Sequence, residues 1–364
     1  MSRMKLRTAA LAAFIAAPAA YAQSSVAIFG IVDAGVGKIS ADGNGSVTRV
    51  LSGAFNATRL GFRGQEDLGG GMWAGFHVET GFLTDSGVGQ ATNTNNQASG
   101  GSPAPGGGQG MTFNRKSTVS LGGGWGELRL GRDYVPSYIN LSAFDVFNNV
   151  GSGGALNMTE AAGLGTGQAP VAATRASNTI SYFTPSFSGF TGHVMYALGE
   201  NSSNSGATSD DGRYAGGRIA YTEGKLVAGA GYGRTQYASG DYHQSNTGVS
   251  YDFAVVKLSF LVGREELKSP ANTRQTHWSV GAIVPAGHGE IRAQYVRVNV
   301  AGTSNDADSV ALGYAYPFSK RTLAYATWAR VDNKGTGTSF NNGRAVTTPG
   351  GASTGYEFGV RHTF

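Results

Sequence analysis

Residues that could support catalysis or metal binding are present in this sequence, but not in the arrangement that such chemistry needs. Residues 351–355 match the G-x-S-x-G pattern, in which a strand-to-helix turn exposes a nucleophilic serine. Here a loop-like Gly/Asn/Thr-rich stretch precedes the pattern and a strand-like stretch follows it. The six histidines show no H-x-x-x-H spacing, and no cysteine is present to act as nucleophile, thiolate ligand or disulfide partner. We therefore expect no enzyme activity, no cofactor and no metal site.

The composition is typical of neither a disordered chain nor a fibrous one. Glycine supplies 58 of the 364 residues, more than twice the usual share of about 7%, and charged residues are 14% against about 25% in average proteins. Glycine and proline follow no collagen-like period, and 40% hydrophobic residues are enough to organise a large fold. The net charge of +5 suggests an anionic partner such as nucleic acid, but it includes the N-terminal segment considered next.

The first 22 residues have the pattern of a secretory signal peptide. Three basic residues lie within the first seven positions, an apolar run extends over Ala9–Ala20, and the segment closes with Ala20-Tyr21-Ala22. The apolar run is shorter than the ~20 residues that a helix needs to cross a bilayer. We expect cleavage between Ala22 and Gln23, which leaves residues 23–364 as one domain. Removal of three positive charges lowers the net charge from +5 to +2, so a nucleic-acid partner is not expected.

The remainder of the chain alternates with period two and contains no stretch of 18 apolar residues. In Val310–Phe318, apolar and aromatic residues fall on one face while Ala and Gly fall on the other. Small and polar residues on the second face are consistent with a wall that water covers. About sixteen such runs are predicted, each near the ~9–11 residues of a tilted membrane-crossing strand. They lie near 25–39, 54–67, 72–83, 113–122, 126–135, 174–184, 189–199, 213–222, 225–236, 243–253, 255–265, 274–285, 289–299, 307–317, 321–331 and 354–364.

This pattern predicts an all-β fold, a closed antiparallel transmembrane β-barrel of about 16 strands. Short turns alternate with long polar loops, the topology of an outer-membrane barrel with short periplasmic turns and long extracellular loops. A soluble sandwich of this length would divide into domains, and a solenoid would show a fixed repeat, neither of which is present. Closure is required because lipid offers no partner to an open sheet edge. Six aromatic residues at strand ends beside short turns match an interfacial girdle: Tyr221, Tyr251, Phe253, Tyr316, Phe318 and Phe364.

Six motifs follow one another across nearly the whole mature chain. They are SVAIFGIVDAGV at 25–36, TRLGFRGQEDLGGG at 58–71, FNRKSTVSL at 113–121, LGRDY at 130–134, RASNTISYFTPSFSGF at 175–190 and the closing 356–364. In this order they resemble the general diffusion porins of Gram-negative bacteria, of the Burkholderia and Bordetella type. The resemblance implies a sixteen-stranded homotrimer in the outer-membrane lipid, with one pore in each subunit and a third long loop folded into the lumen. It also implies that Phe364 is a signal for the outer-membrane assembly machinery.

The resemblance also implies a pore constriction, in which basic wall residues face a carboxylate on the inward loop. The matching positions are Arg59, Arg115 and Arg175 on the wall and Asp145 on the loop. Strand parity supports an inward direction for Arg59 and Arg175, and it places Arg63 inward beside Arg59. For Arg115 parity disagrees, so either a bulge turns it inward or Lys116 takes its place.

The predicted function is passive diffusion of small hydrophilic solutes and ions through this constriction. Arginines in a narrow water-filled gap lower the barrier for anions. The loop 136–173 has only Asp145 and Glu160 as acids, so a mild anion preference is expected, softened by acids such as Glu79. The alternative is a substrate-selective porin for a dicarboxylate, a phosphate or a sugar. A sugar pore would need a track of lumenal aromatics, and Trp328 and Trp73, both read as inward, are too few.

Overall fold

The computed structural model describes residues 25–100, 110–159 and 172–364. The expected signal peptide, with its cleavage point between Ala22 and Gln23, lies outside these residues, and so does Glu160. In the described ranges, no helix has the length and apolar character required to cross a bilayer. The strands are β1 (Ser25–Ala41), β2 (Gly45–Ser52), β3 (Arg59–Gly69), β4 (Met72–Gly81), β5 (Lys116–Gly123), β6 (Gly126–Tyr134), β7 (Arg175–Phe183), β8 (Phe190–Ala197), β9 (Tyr214–Glu223), β10 (Leu226–Thr235), β11 (Asp241–Asp252), β12 (Lys257–Lys268), β13 (Thr273–Ala286), β14 (Gly289–Val300), β15 (Ala307–Pro317), β16 (Thr322–Asn333) and β17 (Ala352–Thr363).

The sheet closes on itself as a barrel. From β3 to β17 each strand pairs antiparallel with the next, and β17 pairs with β1 from Ile31↔Thr363 to Ala41↔Ser353. Phe364 extends this last pairing, because its N–H and C=O both bond to Gly30 at 3.1 Å. In the described part of the chain, every strand except β2, which pairs with β1, therefore has a paired strand on both sides, and these ladders satisfy the backbone in a lipid environment. The predicted closed antiparallel barrel is confirmed.

The wall has sixteen strand positions but seventeen strands, because β2 and β3 share one position. The outer half of β1 pairs with β2, from Ala41↔Gly45 to Ala34↔Ser52, and its other half pairs with β3, from Ile31↔Arg59 to Ser25↔Gln65. The predicted run 54–67 was therefore wrong at its start, since residues 53–58 leave the sheet. The strand at 45–52 was not predicted.

A buried carboxylate explains why the chain leaves the sheet at residues 53–58. Asp33 on β1 is fully buried, and one of its oxygens accepts hydrogen bonds from the backbone N–H of Phe55 at 2.9 Å and of Asn56 at 2.6 Å. Its other oxygen accepts one from the Tyr325 hydroxyl at 2.7 Å. These bonds give the amides a side-chain partner in place of the ladder, while Gly53 makes the turn with φ of 74°.

Replacing Asp33 by asparagine is expected to destabilise the barrel by about 2–4 kcal/mol. An amide NH₂ placed where an oxygen now accepts hydrogen bonds leaves buried donors unpaired. The measurement is the urea midpoint of the refolded protein in detergent, read by the gel-mobility shift between folded and unfolded barrel. Asp67→Asn is the matched control, because Asp67 is exposed and caps only the turn amide of Gly69 at 2.8 Å. Equal midpoints for the two variants would contradict this role of Asp33.

The outer face of the barrel is apolar, as the alternation predicted. On β15, Leu312 is 51% exposed while its neighbour Ala311 is 3% exposed, and on β17 Phe358 is 63% exposed. Aromatic side chains pair near the short turns, with ring centroids of Tyr251 and Phe253 4.6 Å apart. Trp328 departs from the prediction, because it pairs in register with Leu312 and therefore lies on the outer face. It lines no track in the lumen.

We call the loop between β6 and β7, residues 135–174, loop 3. Its described part, residues 135–159 and 172–174, folds against the inner wall. Its helix α1 (Pro136–Ser142) is fixed by Ser137, whose hydroxyl donates to Gln244 Oε1 at 2.6 Å, and by Asn140, whose amide donates to Asn246 Oδ1 at 2.7 Å. Further along, Ser152 donates from its N–H and its hydroxyl to Glu357 Oε1 at 2.9 and 2.8 Å. Loop 3 is thus held by polar contacts at both ends of its described part.

Inner-wall glycines receive the apolar side chains of loop 3. A Cβ built on Gly248 of β11 would overlap the ring of Phe144, and one on Gly281 of β13 would lie 2.6 Å from Val146 Cγ1. A Cβ on Gly313 of β15 would lie 2.9 Å from the Phe147 ring. The interpretation of the small inward residues as a water-covered wall was therefore wrong at these positions. Here they leave room for a packed loop.

Candidate functional site

Three arginines and loop 3 face one another across a cavity of about 520 Å³ inside the barrel. Arg59, Arg115 and Arg175 line its wall side. Loop 3 lines the other side with uncharged groups that include Tyr138, Ser142, Asn148 and Asn149. The structure thus brings together the three wall arginines that the sequence singled out.

Arg59 and Arg115 share one carboxylate, that of Glu79 on β4. Arg59 opens β3, and its Nη1 lies 3.6 Å from Glu79 Oε1, while its Nε donates to the carbonyl of Ala57 at 3.0 Å. Arg115 Nε donates to the same Glu79 oxygen at 2.5 Å, and its side chain is almost fully buried. Glu79 therefore neutralises part of the positive charge, with Arg115 as its nearer partner.

The choice between Arg115 and Lys116 has a simple structural answer. β5 begins at Lys116, which occupies an inward position of the regular alternation and places Nζ 3.0 Å from Asp133 Oδ1. Arg115 lies just before the strand, so the alternation of β5 does not govern it, and its backbone N–H bonds to the Glu79 carbonyl at 3.1 Å. Both side chains point inward as a result. Parity failed for Arg115 because the predicted strand began too early.

Tyr134 holds two of the arginines in place. Its hydroxyl accepts hydrogen bonds from Arg115 Nη2 at 2.7 Å and from Arg175 Nη2 at 2.5 Å. The Arg175 guanidinium also lies over the Tyr134 ring, 4.2 Å from its centroid, and the far side of the tyrosine stacks on Tyr138 of loop 3 at 5.1 Å. Sequence reasoning missed this role, although Tyr134 ends the LGRDY motif that supported the resemblance.

Asp145 does not face the arginines. Its carboxylate accepts hydrogen bonds from the backbone N–H groups of Phe147 and Ala155, each at 2.6 Å, and so closes a turn within loop 3. Burial raises the pKa of this carboxyl, against the backbone hydrogen bonds that lower it. The expected loop carboxylate is thus used inside the loop, and Glu79 on the wall supplies the counter-charge. The sequence contains a signal for this, since Glu79 is an acid able to soften the anion preference.

Arg63 lies further along the same inward face of β3, in a second cavity of about 440 Å³. Its guanidinium is 5.2 Å from the centroid of the Phe29 ring, and the cavity is also lined by Trp73, His77 and Arg129. Arg129 is ion-paired to Asp133 at 2.5 Å and to Glu127 at 2.8 Å. Arg63 is therefore inward, as parity predicted, but it does not line the cavity of the other three arginines.

Comparison with known proteins identifies the family to which this barrel belongs. Residues 8–336 match the model of the Gram-negative porin family. The chain belongs to this family. It is 37% identical over 375 residues to outer membrane porin protein 32 of Delftia acidovorans, a match that covers 99% of this chain and 100% of the relative. It is 27% identical to the major outer membrane protein P.IB of Neisseria meningitidis, with 99% and 100% covered.

A solved structure agrees with the fold of this porin. The anion-selective porin from Comamonas acidovorans superposes with a TM-score of 0.79 at 35% identity, covering 94% of this chain and 100% of the other. The porin is therefore a passive diffusion pore of the Gram-negative outer membrane that passes solutes, and it is not an enzyme.

Proposed function

We propose that the cavity between loop 3 and the three arginines is the pore constriction, and that it selects solutes by size and favours anions. The observation that supports this most directly is the charge around the cavity. Three guanidinium groups stand against the single carboxylate of Glu79, a net of +2. In a narrow passage with low-dielectric walls, such an excess lowers the barrier for anions and raises it for cations.

The described part of loop 3 reinforces this balance because it presents no free acid to the cavity. Its only acid is Asp145, whose carboxylate is occupied by two backbone amides. The cavity side of the loop offers hydroxyl and amide groups in its place. The relative from Comamonas acidovorans, which is named as anion-selective, supports the same direction of preference.

We also propose that the porin works as a homotrimer, that residues 1–22 direct export and are removed between Ala22 and Gln23, and that Phe364 is recognised by the outer-membrane assembly machinery. An OmpT porin of Vibrio cholerae, which shares the fold, has been solved in a trimer form. The position of Phe364 supports its proposed role in assembly, because its backbone completes the pairing of β17 with β1 at Gly30.

The test of the anion preference is the reversal potential of the purified porin in a planar bilayer under a tenfold KCl gradient. We expect a reversal potential whose sign shows that chloride is more permeant than potassium. Arg175→Gln should reduce this potential, because it removes one unit of positive charge from the cavity. Arg213→Gln is the matched control, since Arg213 is paired with Asp210 at 2.6 Å in the loop between β8 and β9 and is partly exposed. A wild-type potential of the potassium-preferring sign would refute the proposal.

A further inference from the structure

A groove runs along β10 on the outer, lipid-facing surface of the barrel. The outward residues of β10 at this level, Ala228 and Ala230, are small, and Ala230 pairs with Thr247 of β11. Ile219 of β9 bounds this stretch on one side and Val262 of β12 bounds it on the other. Two cavities of about 380 and 510 Å³ share Ile219, Ala230 and Val262 and therefore join into one groove. Because this surface faces lipid, a flexible apolar chain is the kind of group that would fill such a depression.

The two ends of this groove differ in chemistry. Toward the short turns it is bounded by Phe190 and Tyr221, whose ring centroids are 4.6 Å apart. Toward the long loops it reaches Tyr232 and Arg264, which lie four residues beyond Ala228 and Phe260 on their strands. Four residues of strand span ~13 Å, a length that one acyl chain can follow. The long-loop end of a porin is extracellular, so the polar end of the groove lies in the outer leaflet.

The polar end has an excess of positive charge. The outward side chains at the long-loop ends of β10–β13 include four cations and two anions. Arg264 Nη2 lies 2.7 Å from Glu266 Oε2 and the arginine side chain is still 47% exposed, so part of its guanidinium remains open to an anion. The cations are Arg234, Arg264, Lys268 and Arg274, and the anions are Asp241 and Glu266.

We propose that this groove is a binding site for an outer-leaflet lipid, with an acyl chain along Ala228 and Ala230 and a phosphate of the head group on Arg264. The apolar length of the groove accounts for the chain, and the charge excess at its outer end accounts for the phosphate. Arginine is suited to the second contact because its guanidinium donates two parallel hydrogen bonds to phosphate oxygens. The site is on the outside of the wall and does not depend on the proposed constriction.

The test uses the full mature protein in detergent, titrated with diphosphoryl lipid A and, separately, with lipid A from which the phosphates have been removed, and read by native mass spectrometry. Arg264→Gln is expected to weaken binding of the phosphorylated lipid about tenfold and to leave the dephosphorylated lipid unaffected. Ala230→Leu is expected to weaken both, because it fills the groove.

The matched control is Arg330→Gln. Arg330 is also an outward arginine, also 47% exposed and also ion-paired at 2.7 Å to the acid two residues further on, Asp332. Its substitution should leave lipid binding unchanged. Equal losses for Arg264→Gln and Arg330→Gln, or full binding by Ala230→Leu, would overturn the proposal. It would also be overturned if Ala230→Leu changed the subunit number while lipid binding stayed the same, since the groove would then be a contact between copies.

Discussion

Replacing Arg59 and Arg175 together by glutamate is expected to make the pore prefer cations, the reverse of the anion preference proposed for the wild type. In the wild type, three arginines and Glu79 give the cavity a charge of +2. With both substitutions, one arginine stands against three carboxylates, a charge of −2. The reversal potential in a KCl gradient should therefore change sign, not merely become smaller.

The size of this effect follows from Coulomb energies in water. One unit charge about 5 Å from a permeating ion contributes roughly 0.8 kcal/mol at the dielectric constant of bulk water. A change of four charges thus amounts to about 3 kcal/mol before salt screening, and we expect a shift of at least about tenfold in the ratio of anion to cation permeability.

The double glutamine variant of Arg59 and Arg175 provides the graded control. It leaves Arg115 paired with Glu79, a net charge of zero, and should give a pore with little preference. The three proteins therefore form a series of +2, 0 and −2 at constant loop structure. An anion preference that survived in the double glutamate variant would show that the selecting charges lie elsewhere in the channel.

Truncating Phe144 to alanine is expected to loosen loop 3 and to increase the single-channel conductance. Phe144 is almost fully buried on Gly248 and packs with Leu141 and Leu261. Removal of such a ring costs about 3–5 kcal/mol of packing. This loss falls on the loop, because the barrel wall is held by its own ladders. Gly248→Leu should have the same effect from the opposite side, since its side chain would occupy the place of the ring.

Combining the two changes distinguishes docking of loop 3 from general damage to the barrel. In the double variant, the leucine at position 248 enters the space left by the ring, so conductance should return toward the wild-type value. The measurement is single-channel conductance together with the rate of liposome swelling in sugars of increasing size. Conductance in the double variant as high as in either single variant would refute the complementary packing of Phe144 and Gly248.

Most of the barrel could be predicted because the alternation of apolar and polar side chains is a local property of each strand. Lipid requires each strand to present an apolar side chain at every second position, and this alternation can be counted in Val310–Phe318 without knowledge of any neighbour. The split position of β2 and β3 could not be counted in this way. It depends on the carboxylate of Asp33, 22 residues before the amide of Phe55 that it binds.

In the candidate site, too, the direction of some side chains could be predicted from the sequence and that of others could not. The direction of Arg63 followed from strand parity, because it lies inside β3, and Arg59 opens the same strand with the same parity. Arg175 opens β7 beyond a shift in its register with β6, so parity alone does not fix its direction. Arg115 lies just before β5, so its direction depends on how the chain enters that strand.

Residue types and their alternation thus specify a membrane barrel with basic side chains on its inner face, since these depend only on the solvent that each face meets. They do not specify which carboxylate meets those arginines. The sequence pointed to Asp145, but in the structure the backbone amides of Phe147 and Ala155 occupy its carboxylate, and Glu79 meets the arginines in its place. The contacts of loop 3 with Gly248 and Gly281 likewise form only after distant strands have been brought together around the loop.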